Sequence, residues 1–118
     1  MSIKIYGISQ CNTVKKARQW LDENHIVAEF IDFKKQPPTQ NDIEFWLTQI
    51  PKEVLINRRG TTWRKLSSEE QQAALVSDQT AIDLMLAQPS IIKRPVLIHN
   101  NKITIGFDPQ RYTEIFGL

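Results

Sequence analysis

Residues 3–6, Ile-Lys-Ile-Tyr, alternate apolar and polar side chains, the period of a half-buried strand, and Gly7 interrupts the run. The period then lengthens. Val14, Ala17 and Leu21 share one face of a helix over residues 12–24, with Asn24 suited to its C-terminal cap. β-Branched and aromatic residues return over residues 26–33 and predict a second strand. Strand, helix and strand in this order form a βαβ unit, so the two strands should be parallel and the crossover right-handed.

The pattern changes after Phe33. Lys34-Lys35-Gln36-Pro37-Pro38 breaks regular structure, because two prolines cannot continue a central strand. Thr39 then caps a helix, with Asp42 in the place of the usual Glu of a capping box. Ile43, Trp46, Leu47 and Ile50 follow as an i, i+3, i+4, i+7 stripe. Pro51 opens a short turn or helix reaching Leu55, and residues 57–60, Asn-Arg-Arg-Gly, read as a loop. Ser67 and Glu70 stand at capping-box spacing, Ser77-Asp78 opens a further helix through Ile82, Met85 and Leu86, and Gln88-Pro89 stops it. No strand pattern interrupts this block.

Strand character resumes over residues 96–99 and 102–105. Asn100-Asn101 between them suits a two-residue hairpin, because asparagine tolerates positive φ. Asp108 followed by Pro109 starts a last helix, with Tyr112, Ile115 and Phe116 on its inner face. The order is β-α-β, helices, β-β-α. The outer pieces fit an α/β fold with a thioredoxin-like mixed sheet flanked by helices. The middle is too long for a crossover and reads as an inserted helical subdomain. We therefore expect one domain over residues 1–118, with its core in residues 1–35 and 90–118 and the insertion at about residues 36–89.

Composition narrows the function classes. Apolar residues make up 41% of the 118, as in soluble globular chains, and no run approaches the length that spans a bilayer. No apolar signal core follows Met1, so the expected location is cytoplasmic. The net charge of +2 is too small to indicate nucleic acid. Arg58, Arg59, Arg64 and Lys65 form a denser local cluster that reads as a solvated face. The one cysteine, Cys11, cannot form an internal disulfide. With His25 and His99 distant from it in sequence, no metal-ligand spacing exists.

Cys11 lies where the first strand turns into the first helix. Unpaired backbone N–H groups and the positive end of the helix dipole converge there. Lys15 stands one turn further on, with Lys16 and Arg18 near it. Free cysteines are often small buried apolar residues. The polar neighbours Ser9, Gln10, Asn12 and Thr13 speak instead for an activated, nucleophilic thiol. A lone nucleophilic thiol makes a covalent adduct that an external thiol must resolve.

Cys11-x-x-x-Lys15-Lys16, a helical insertion, and Ile92-Lys93-Arg94-Pro95-Val96-Leu97 together resemble the arsenate reductase family of glutaredoxin type, which includes the Spx-like regulators of RNA polymerase. The resemblance covers essentially the whole chain and is nearest the YffB branch, assigned as glutathione-dependent thiol reductases. It implies that Cys11 is the nucleophile. It implies that Arg94 precedes a cis-proline, Pro95, and stabilises the thiolate and an oxyanion. Asn12, Thr13, Lys15 and Pro95 are then the expected substrate-binding residues. No cofactor is expected to be bound; glutathione is expected as co-substrate, with a thiol, disulfide or oxyanion as the other substrate. Two departures stand out: Asn57 and Phe107 occupy positions where arsenate reductases carry arginine. The alternative implied by the same resemblance is a non-catalytic Spx-like regulator that binds RNA polymerase.

Overall fold

The computed structural model describes residues 2–118. Two compact units divide the chain: residues 1–35 with 94–118, and residues 36–93.

The first unit is built on a four-stranded mixed sheet of order β2-β1-β3-β4. β1 (Lys4–Gly7) pairs in parallel with β2 (Glu29–Asp32), and antiparallel with β3 (Val96–His99). β3 pairs antiparallel with β4 (Lys102–Ile105). The hairpin turn is the expected one: Asn100 and Asn101 hold φ of 53° and 62°, the positive values that a tight two-residue turn requires. α1 (Asn12–Glu23) buries Val14, Ala17 and Leu21 and ends at Asn24, whose side-chain amide donates to the Trp20 carbonyl. α7 (Pro109–Ile115) starts at Asp108, which accepts from the Gln110 N–H. Ile5 and Leu97 of the sheet, Ala17 and Leu21 of α1, and Tyr112 of α7 form one buried cluster. Ile115 and Phe116 are partly buried against it rather than fully inside.

β2 is shorter than the sequence pattern suggests. Residues 26–28 stay outside the strand because the Ile26 N–H still donates to Leu21 of α1, across a left-handed His25 with φ 57°. Pairing with β1 begins only where Glu29 N–H reaches the Ile3 carbonyl, and Val27 remains 91% exposed.

The second unit is helical: α2 (Gln40–Leu47), α3 (Lys52–Leu55), α4 (Thr61–Arg64), α5 (Ser68–Ala74) and α6 (Asp78–Ala87), then a 3₁₀ turn at Pro89–Ile91. The Thr39–Asp42 and Ser67–Glu70 capping boxes form as expected, and Ser77–Thr80 makes a third. Trp46, Ile43, Leu55, Ile82 and Met85 are fully or almost fully buried, an apolar core of this unit's own. α4 was not legible as a helix. It spans one turn, and Trp63 is its single buried side chain. The Asn57 N–H donates to the Ile91 carbonyl and the Lys93 N–H to Leu55, which ties residues 91–93 to this unit. Among the described residues no helix is long and apolar enough to cross a membrane.

Candidate active site

Gly7 determines how the site is made. A Cβ there would stand 2.7 Å from Val14 Cγ2, so only glycine lets the end of β1 and the first turn of α1 approach this closely. The loop between them closes with the Cys11 N–H on the Ile8 carbonyl at 3.0 Å. Cys11 is thereby the N-cap of α1, in extended backbone geometry, with its carbonyl accepting the Lys15 N–H at 3.0 Å. It occupies the place where a Ser or Asp oxygen would satisfy the free amides of a helix start.

As a thiol, Cys11 makes no capping hydrogen bond. As a thiolate it is well supplied. Partial burial pushes its pKa up, but the Val14 N–H, the Arg94 side chain, the Thr13 N–H and the Arg94 positive charge together pull it below the ordinary thiol value. The result is a partly exposed thiol that carries negative charge more readily than a free one.

Arg94 comes from the opposite end of this unit's sequence. The Arg94–Pro95 peptide bond is cis, as expected. Pro95 is buried, and its carbonyl accepts the Gly106 N–H at 2.9 Å, which fastens the start of β3 to the end of β4. Arg94 is half-buried and hydrogen-bonded to the Cys11 sulfur. Asn12, Thr13 and Lys15 lie on the first turn of α1 with exposed side chains, and the Thr13 backbone rather than its hydroxyl serves the sulfur. Arg94 is the cation that acts on the sulfur; Lys15 and Lys16 face solvent on α1, and Arg18 lies over the Phe30 ring at 3.9 Å.

Lys34, in a segment whose sequence reads as a breaker, is a neighbour of the site. Gly7 pairs with Asp32, so the segments that follow β1 and β2 leave the sheet at the same edge. Lys34 N–H donates to Asp32 Oδ1, and Lys34 Nζ donates to Gln10 Oε1, next to Cys11. The parallel pairing expected from the sequence already implied this proximity.

Phe107 does not face outward as an anion ligand would. It is partly buried, edge-on to Tyr112 with ring centroids 4.8 Å apart. Asn57 is used locally: its side chain accepts the Arg59 N–H at 3.3 Å in the turn leading into α4. Among the described residues no group of three or more His, Cys, Asp or Glu could hold a metal.

These features define a thioredoxin-like domain with one thiol at a helix start and an arginine before a cis-proline beside it. The model of the ArsC family matches residues 6–115, and the chain belongs to that family. A solved YffB protein is 40% identical, with 96% of this chain and 97% of that one covered and a TM-score of 0.89. An arsenate reductase (ArsC) related protein from Brucella melitensis is 44% identical, covering 100% of this chain and 97% of its own, with a TM-score of 0.77. The global transcriptional regulator Spx 2 of Oceanobacillus iheyensis is 26% identical over 109 residues, 91% of this chain and 78% of its own.

Proposed function

We propose that this chain is a glutathione-dependent thiol-disulfide reductase that works through Cys11 alone. The observation that carries the reading is the thiolate cradle: two backbone N–H groups at the start of α1 and the Arg94 guanidinium converge on one partly exposed sulfur. A buried structural cysteine has no use for such a cradle. The Cys11 thiolate attacks one sulfur of a disulfide, a new S–S bond forms to Cys11, and the other half leaves as a thiolate that takes its proton from solvent. A glutathione thiolate then attacks the mixed disulfide and releases Cys11. In this reading Arg94 steadies the anionic sulfur in both steps. Asn12, Thr13 and Lys15 offer polar contacts to the incoming molecule.

Incubation with oxidised glutathione at neutral pH should add one glutathione to the wild-type mass and none to Cys11→Ser. Iodoacetamide alkylation of Cys11 should show a pH midpoint below about 8.5, the value of a free thiol. A midpoint at or above that, or an unmodified wild-type mass, sinks the reading.

Arsenate turnover should be weak or absent. Phe107 is packed against Tyr112 and Asn57 is held in its own turn, so neither offers the charge that the family's arginines supply. Turnover that matches an arsenate reductase assayed alongside would show that Arg94 suffices.

The Spx relative supports a second reading, a non-catalytic regulator that binds RNA polymerase. The exposed Arg58-Arg59 loop is its candidate contact. Capture of polymerase subunits by a Cys11→Ser variant, together with no glutathione adduct on the wild type, would favour it.

A further inference from the structure

We infer that Lys34 is the residue that recognises the glycyl carboxylate of glutathione, and so sets the preference of Cys11 for this anionic thiol over neutral ones. The inference rests on the proposed glutathione chemistry. Three observations carry it.

The first is placement. β1 and β2 are parallel, so their C-terminal ends lie side by side, the edge of an open α/β sheet where ligands bind. An Asx turn at Asp32 bends the chain there, and the Lys35 N–H on the Asp32 carbonyl closes it. Lys34 Nζ is thereby held on Gln10, the residue before Cys11.

The second is availability. Lys34 is exposed, and its ammonium is paired with a neutral amide; among the described residues no carboxylate is salt-bridged to it. An ammonium has three donors. One is on Gln10, so a carboxylate can be received without breaking that contact. Arg94 is committed to the sulfur, whereas Lys34 is not among the groups that stabilise the thiolate. Its charge acts beside the reacting atom, not on it.

The third is spacing. In glutathione the glycyl carboxylate is one residue along from the thiol. In the protein the ammonium is hydrogen-bonded to the side chain of Gln10, one residue along from Cys11. In the mixed disulfide this ammonium receives the carboxylate.

The test compares two disulfides on the full chain: glutathione disulfide, which carries the carboxylates, and 2-hydroxyethyl disulfide, which carries no charge. In both, the Cys11 thiolate displaces one thiolate and keeps the other half as a mixed disulfide, read by intact mass against time. Lys34→Ala should slow the glutathione reaction about three- to fivefold, the effect of one exposed ion pair, and leave the hydroxyethyl reaction unchanged. Lys34→Arg should retain the wild-type rate. Gln10→Ala, which frees the ammonium but keeps its charge, should cost less than Lys34→Ala. Added salt should narrow the gap between wild type and Lys34→Ala. Equal slowing of both disulfides would make Lys34 a loop fastener and overturn the assignment. An unchanged glutathione rate would overturn it while leaving the reductase reading intact. A wild type that reacts with the hydroxyethyl disulfide and not with glutathione disulfide would overturn both.

Discussion

Arg94→Ala should slow the reaction of Cys11 with glutathione disulfide at pH 7 by about tenfold, the combined loss of a charge-assisted hydrogen bond and of attraction for an anion. The two parts can be separated. Arg94 both hydrogen-bonds the Cys11 sulfur and opposes its charge, so removing it raises the thiol pKa. Charge-assisted hydrogen bonds are worth roughly 1.5–3 kcal/mol, and solvent at this partly exposed sulfur screens part of that. The rise lowers the thiolate fraction at pH 7. It also makes each remaining thiolate more nucleophilic, because reactivity follows basicity with a coefficient near 0.4–0.5. The chemical part of the loss is therefore smaller than the fall in thiolate fraction alone. The rest comes from the attraction for glutathione. Iodoacetamide, which is neutral, senses only the first part. Its pH profiles for wild type and Arg94→Ala should cross: the variant slower near pH 7, and faster once both thiols are fully ionised. Lys15→Ala should leave the profile in place. Superimposable profiles for wild type and Arg94→Ala would remove Arg94 from the thiolate cradle.

That contrast between Arg94 and Lys15 shows where the sequence was informative and where it misled. The helix start at Cys11, the Val14-Ala17-Leu21 face and the Asn100-Asn101 turn are local, and local spacing declared them. The source of the charge on the sulfur is not local. Lysines four and five residues beyond Cys11 are its nearest cations in sequence, yet side chains there project from α1 into solvent, and the acting cation arrives from 83 positions away. Only the family resemblance made Arg94 visible. Lys34 was hidden by its setting in a Lys-Lys-Gln-Pro-Pro breaker, which reads as a linker. It became a site neighbour because parallel pairing of Gly7 with Asp32 brings the two strand ends together. α4 left no periodic trace, since one helical turn is too short to show a period.

The largest stability change should come from Tyr112, at the centre of the sheet unit. It is fully buried and edge-on to Trp20 at 5.6 Å, to Phe107 at 4.8 Å and to Phe116 at 6.3 Å. Tyr112→Ala would empty that space and should cost about 3–5 kcal/mol, the range for truncating a buried aromatic ring. The hydroxyl contributes nothing comparable, because it is buried without a hydrogen-bond partner. Tyr112→Phe removes an unmet desolvation cost and keeps the ring, so it should equal the wild type or exceed it by about 1 kcal/mol. The same burial sets a pH dependence. It pushes the phenol far above its ordinary value, with Arg111 opposing only in part. The unfolded chain therefore loses this proton first as pH rises. Stability from this group is complete below about pH 10 and falls above it, by about 1.4 kcal/mol at pH 11. Other groups titrate in that range, so the quantity to measure is the difference in urea midpoint between wild type and Tyr112→Phe from pH 7 to 11. That difference should grow in favour of Tyr112→Phe with rising pH. A constant difference, or a Tyr112→Phe variant less stable than wild type at pH 7, would mean that the hydroxyl has a partner in solution.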